Sequence, residues 1–217
     1  MKFPLAFAPP QLLCKWLPPF DVGDWEGTRS AFAGMASCEL RQGWNQGAEA
    51  NFLPALVSVG ALEDSGEKML CIYAKLHDLD IGNAAVARNE RTWELGDVFE
   101  IFLAPTGGNS YFEFHVTPEN QVLECEFPLP RNLNAPLPLL DEPLIQSWTN
   151  VSEGQWEVLA RLPLGQLGAS EARQWKFSFS RYDGGPGRAP ILSSSSPHLK
   201  VDFHRRDEWG ELVLPGW

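Results

Sequence analysis

Hydrophobic and polar residues alternate in short runs along most of this chain. Between Asp97 and Leu103, the residues Asp97, Phe99, Ile101 and Leu103 fall on one side of an extended backbone, with Val98, Glu100 and Phe102 on the other. Eight residues on, Phe112, Phe114 and Val116 form an apolar face, and Tyr111, Glu113 and His115 share the opposite one. The link 104–110 has the Pro, Gly and Asn content of a hairpin loop. Pairing these strands gathers Glu100, Tyr111, Glu113 and His115 on one sheet face with Trp93 at its rim. Glu113 and His115 alternate with Phe, so that face is expected to be solvated.

The same pattern predicts strands at 49–53, 56–62, 69–77, 97–103, 111–117, 121–126, 147–151, 156–162 and 175–181. Gly, Pro, Asn and Asp clusters separate them. Beyond one turn near Leu164–Leu167, no stretch longer than about ten residues holds helical spacing. Many short strands without crossover helices predict an all-β fold. The expected form is an antiparallel β-sandwich of two sheets, immunoglobulin-like or jelly-roll-like, with little helix. We read residues 1–217 as one domain, with an N-terminal arm at 1–20 and a Pro-rich loop at 127–146 lying across it.

Composition narrows the partners. The chain has 28 acidic against 17 basic residues, a formal net charge of −11. Nucleic acid and anionic membrane surfaces need basic patches, so neither is expected. No apolar run reaches the roughly 20 residues of a membrane-spanning helix. Met1 to Ala8 is too short and too Pro-interrupted for a secretory leader, so the chain is read as cytoplasmic or of unknown compartment. Cys14, Cys38, Cys71 and Cys125 form no C-x-x-C pair and read as buried free thiols. Thirteen Phe and nine Trp exceed what a core alone demands.

Glu100 lies between Val98 and Phe102, so it needs a partner, and Arg88, Arg91 or Arg181 is the expected one. His204 reads as a residue that satisfies loop backbone. Asp78 and Asp80, near Asn83, suit a hard cation such as Ca²⁺. None of the nucleophile, phosphate-loop, zinc or dinucleotide motifs occurs, so no catalytic role is expected.

The ordered motifs resemble the family 9 carbohydrate-binding modules and their DOMON-like, stand-alone relatives. Phe20-Asp21-Val22-Gly23-Asp24-Trp25 is similar to the family's opening. Trp93-Glu94 followed by Asp97-x-x-Glu100-Ile101-Phe102, then Tyr111-x-x-Phe114-x-Val116-x-Pro118, looks like its central hairpin. Trp156 to Leu164, Phe177 to Asp183 and Phe203-His204…Trp209 match its later strands. The resemblance implies a non-catalytic sandwich that binds a mono- or oligosaccharide. It implies that Trp93 stacks on the sugar, that Glu100 binds hydroxyls, and that His115 and Asp183 stand at ligand positions. The family's second stacking Trp has no counterpart, because Ser193 to Ser196 stand there; either the ligand differs, binding is weak, or Trp148, His198 or Trp209 supplies the second wall. Two other readings stay open. One is a DOMON-type haem-binding redox sandwich, with Met35, Met69, His77 and His115 as available ligands. The other is a partner-binding sandwich whose sugar site has decayed. Oligomeric state does not follow from these residues.

Overall fold

The computed structural model describes residues 6–45, 47–132, 134–168, 172–185 and 187–216. Its strands are β1 (Gln11–Leu13), β2 (Ala36–Glu39), β3 (Ala55–Asp64), β4 (Glu67–His77), β5 (Val98–Pro105) and β6 (Ser110–Val116). They continue with β7 (Val122–Pro128), β8 (Gln146–Ser152), β9 (Gln155–Pro163), β10 (Gln174–Asp183), β11 (Ile191–Ser194) and β12 (Gly210–Val213). One α-helix, α1 (Trp25–Phe32), precedes β2, and short 3₁₀ turns occupy Thr92–Glu94 and Arg206–Glu208.

The strands form two sheets. The larger runs β1-β12-β10-β5-β6-β7, with β11 also on β10; the smaller runs β2-β3-β4-β9-β8. All pairings are antiparallel except β1 with β12. This is the expected two-sheet sandwich. Its core forms as alternation dictates: Phe99, Ile101, Leu103, Phe112, Phe114, Phe177 and Phe179 pack onto Val57, Val59, Leu70, Ile72, Val158 and Ala160. Each of the larger side chains here, fully withdrawn from water, contributes about 1.5–3 kcal/mol.

Both outer faces are also covered. Helix α1 lies on the smaller sheet, where Phe32 and Ala31 pack with Met69, Cys71, Tyr73 and Leu159. Asp24 caps this helix, accepting a hydrogen bond from Glu26 N at 3.0 Å, and Gly34 at φ 78° follows its end. Beneath it, Arg29 reaches the buried Glu157 at 2.5 Å. On the larger sheet, Phe102, Tyr111, Leu123, Cys125 and Phe127 are covered by Phe203 and Trp209. The expected solvated face is therefore buried: Glu113 is 6% exposed and His115 0%. Strand alternation assigns the face, but the covering segment lies nearly ninety residues downstream.

Other expectations are corrected or refined. Residues 49–53 form no strand, because Gln42 Oε1 accepts from Glu49 N and Phe52 N donates to Glu49 O, closing a turn before Pro54. The segment 164–168 is a hydrogen-bonded turn, with Gln166 N on Pro163 O. The arm at 1–20 is partly built into the sandwich. Its residues 1–5 lie outside the described residues, while Gln11–Leu13 pairs with β12 and Trp16 bridges Ala61 of β3. The Pro-rich loop folds back along β7, with Glu126 N on Pro138 O and Leu140 N on Glu124 O, covering that sheet edge. Cys14, Cys71 and Cys125 are buried free thiols, and Cys38 is half-buried. No helix among the described residues is long and apolar enough to cross a membrane.

Candidate functional site

The register of β5 and β6 builds the floor of the candidate site. Glu100 is the cross-strand partner of His115, and Phe102 that of Glu113. Two positions apart on one strand, Glu113 and His115 point the same way, so both carboxylates converge on one imidazole. His115 Nε2 donates to Glu113 Oε1 at 2.7 Å and lies 3.2 Å from Glu100 Oε1. Its other nitrogen, Nδ1, meets Thr92 Oγ1 at 2.8 Å, which fixes the ring.

Thr92 belongs to the turn that carries Trp93. Asn83 Nδ2 donates to Thr92 O at 2.8 Å and to Asp97 O at 3.1 Å, tying the turn to the start of β5. Asp97 accepts from Gly82 N and Gly184 N, each at 2.8 Å, holding the neighbouring loops. Gly96 makes the tight approach possible. Its φ is 145°, and a Cβ there would stand 2.2 Å from Gly82 O. The Trp93 ring is thereby set half-buried, 5.5 Å from His115 in an edge arrangement.

A cavity of about 400 Å³ opens above this floor. It is lined by Trp93, Glu100, Phe102, Glu113, Phe127, Arg131, Leu137, Tyr182 and residues 200–204. Beneath it, Tyr111 OH meets His204 Nδ1 at 2.8 Å and stacks on Phe127 at 5.0 Å. Glu100 Oε2 and Glu113 Oε2 are both buried and accept no hydrogen bond among the described residues; His204 Nδ1 stands 3.7 Å from Glu113 Oε2.

Burial dominates the electrostatics. It pushes the Glu100 carboxyl up to about 8, with His115 opposing and Glu113 reinforcing the rise. Burial also opposes ionisation of Glu113, but the His115 hydrogen bond and charge outweigh it and leave Glu113 below the ordinary range. For His115, the two glutamates outweigh burial and raise its pKa. These shifts favour a protonated Glu100 beside an ionised Glu113 that holds the His115 proton.

Of the sequence-derived candidates, Trp93, Glu100 and Glu113 line the cavity, while His115 and Tyr111 support them from below. Asp183 stands apart, on the other face of its sheet. It pairs with Arg181 at 3.1 Å and Arg188 at 2.5 Å. The calcium candidates share that network: Asp78 lies 2.7 Å from Arg181, and Asp80 2.8 Å from Arg188. Ligand atoms of Asp78, Asp80 and Asp183 lie within 4.8 Å of one another, as do those of Glu100, Glu113 and His115. Two guanidiniums, Arg181 and Arg188, already pair with the three carboxylates of the first group, and the imidazole of His115 lies against both carboxyls of the second.

The expected arginine partner of Glu100 is replaced by His115, because Arg88 is held by Glu124, Arg91 by Glu94 and Arg181 by Asp78. None of the three proposed second walls reaches the cavity. Trp209 is fully buried, with Nε1 on Phe203 O; His198 is buried against Glu208; Trp148 packs with Arg161 near the helix-covered face. The serine segment starts as sheet, with Ser194 paired to Ser180 at the end of β11, and Ser195 Oγ just beyond it accepts from Phe179 N. Sequence reasoning missed Tyr182, Arg131, Lys200 and Asp202, and it misread His204, which faces the cavity. Tyr182 was recoverable by extending the β10 alternation one step past Ser180; the loop residues gave no periodic signal. Among the described residues, the apolar cluster between the sheets contains none of the methionines offered as haem ligands, and His115 faces the other side of its sheet.

No protein-family model and no curated protein sequence matches this chain. Solved structures do match its fold. A candidate carbohydrate-binding protein from Bacteroides uniformis superposes with a TM-score of 0.73 at 17% identity, covering 94% of this chain and 99% of that one. A family 9 carbohydrate-binding module from Caldicellulosiruptor kristjanssonii in complex with cellotriose gives 0.65 at 13% identity, covering 96% and 95%. A family 9 module from the same organism in complex with glucose gives 0.63 at 12% identity, covering 96% and 97%. The chain has the family 9-like sandwich fold over nearly its whole length.

Proposed function

We propose that this chain is a non-catalytic carbohydrate-binding module that holds a mono- or oligosaccharide in the Trp93–Glu100–Glu113 cavity. The observation that carries this reading is a pair of buried oxygens without a hydrogen bond, Glu100 Oε2 and Glu113 Oε2, the latter 3.7 Å from His204 Nδ1, beneath a cavity with a half-buried indole at its rim. An unsatisfied buried acceptor costs about 1–3 kcal/mol. Sugar hydroxyls are donors of the right kind, and the C–H face of a pyranose packs on an indole. Protonated, Glu100 also offers a donor to a ring or hydroxyl oxygen. The sandwich neighbours, two of them in complex with cellotriose and with glucose, support the same class of ligand.

Hydrolysis is disfavoured by the geometry of the carboxyl pair. Glycosidases place two carboxyls on opposite sides of the scissile bond. Here both lie against one imidazole nitrogen, on one wall. A glycan array followed by calorimetric titration with glucose and cellotriose tests the reading. Saturable binding that Glu100→Gln weakens supports it, and no binding across the array overturns it.

A further inference from the structure

We propose that the saccharide this cavity takes is anionic, carrying a carboxylate as a uronic-acid unit does, held by Arg131 and Lys200. The inference rests on the saccharide reading of the same cavity and specifies its ligand class. Arg131 and Lys200 both line the cavity that Glu100 and Glu113 floor. Most arginines elsewhere in the chain are committed to carboxylates, among them Arg29 to Glu157, Arg88 to Glu124, Arg181 to Asp78, Arg188 to Asp183 and Arg205 to Glu208, while Arg206 donates to a backbone carbonyl, Pro105 O. Arg131 is not among the ion-paired described residues. Its guanidinium instead rests 5.1 Å above the Phe127 ring, and Phe127 is stacked on Tyr111. Stacking orders the planar fork at little cost and leaves its N–H edge for a ligand. Lys200 is exposed at the mouth and is likewise outside the ion pairs of the described residues.

The remaining charges in the cavity favour an anion there. Glu100 keeps its proton at neutral pH, Glu113 is balanced by His115, and burial lowers the pKa of His204 so that it stays neutral. Asp202 alone then stands against Arg131 and Lys200. A locally positive cavity in a chain of net charge −11 attracts a small anion and not a polyanion, whose further charges would meet the acidic surface. Carboxylate suits the fork of arginine through two parallel hydrogen bonds.

Matched pairs test this by calorimetry: methyl glucoside with methyl glucuronide, methyl galactoside with methyl galacturonide, and glucose 6-phosphate as a second anion. At low salt the uronide of the accepted sugar should bind about tenfold or more tighter than its neutral partner, and the gap should narrow in 0.5 M NaCl. In the double variant Arg131→Gln, Lys200→Gln the uronide-to-glycoside ratio should fall to about 1, with the melting temperature unchanged because neither residue is in the core. Neutral glycosides binding as well as uronides would overturn the inference and leave the saccharide reading standing. Preference for the sugar phosphate over every uronide would overturn the carboxylate assignment. Binding of none of the probes, with an empty glycan array, would overturn both.

Discussion

Glu100 and His115 face each other across the β5–β6 ladder, and their side chains meet at 3.2 Å inside the protein. One imidazole therefore serves two buried carboxyls, since Glu113 lies 2.7 Å from the same nitrogen. Removing it leaves two acids without their cation. His115→Leu should cost about 3–5 kcal/mol, the usual consequence of breaking a buried pair from one side. Urea denaturation measures this; a loss below about 1 kcal/mol would show that the imidazole is not what stabilises the pair.

Stability should decline toward alkaline pH. The folded pKa of Glu100 is pushed up to about 8 from an ordinary 4.5, and that of Asp97 to about 8 from 3.8, in both cases chiefly by burial. The folded chain keeps protons that the unfolded chain releases, so this contribution is complete below about pH 4 and is lost as pH rises toward 8. His115, raised by its glutamates, acts in the same direction. Melting temperature should fall by several degrees between pH 5.5 and 8.5, and Glu100→Gln should flatten that slope. A profile that stays level in the wild-type chain would contradict the burial of these protons.

Trp93→Ala separates recognition from folding. The ring is half-buried at the cavity rim and not part of the inter-sheet core. Losing one stacking surface costs about 1–3 kcal/mol, if ring stacking on sugars resembles that on bases, which is about 5- to 150-fold in affinity. Calorimetry should show that loss while the melting temperature moves by only a few degrees. A variant that binds as tightly as the parent would remove Trp93 from the site.

Gly96→Ala tests the turn that aims Trp93. The added Cβ meets Gly82 O at 2.2 Å, and the φ of 145° is one that side chains other than glycine rarely adopt. A loss of about 2 kcal/mol or more is expected, together with weakened ligand binding. Gly107→Ala is the comparison, because its φ is 83° but nothing lies within 4 Å of the new Cβ. That change should cost about 1 kcal/mol and leave binding alone.

Alternation made the central hairpin legible, because Phe99, Ile101, Phe112 and Phe114 repeat with period two wherever a strand buries one face. It also assigned Glu100, Glu113 and His115 to a common face, since that follows from parity alone. It could not show that the face is covered, because Phe203 and Trp209 arrive through a loop with no periodicity. Helix α1 was missed for a related reason: eight residues with Gly27 inside give a weak helical signal, although Asp24 was a readable cap. Asp183 shares its strand with Tyr182, and the one-residue offset put the two on opposite faces. Partner choice was the least legible feature. Arg181 and Glu100 are both buried on neighbouring strands, yet their side chains lie on different sides of the sheet, and only the register reveals it.

The account stands most directly on one titration: the accepted saccharide against the parent chain and against Glu100→Gln and Trp93→Ala, with folding checked by circular dichroism. It predicts saturable one-to-one binding by the parent and a loss of about fivefold or more in each variant at unchanged secondary structure. Equal affinity in all three, or no saccharide bound by the parent, would contradict it.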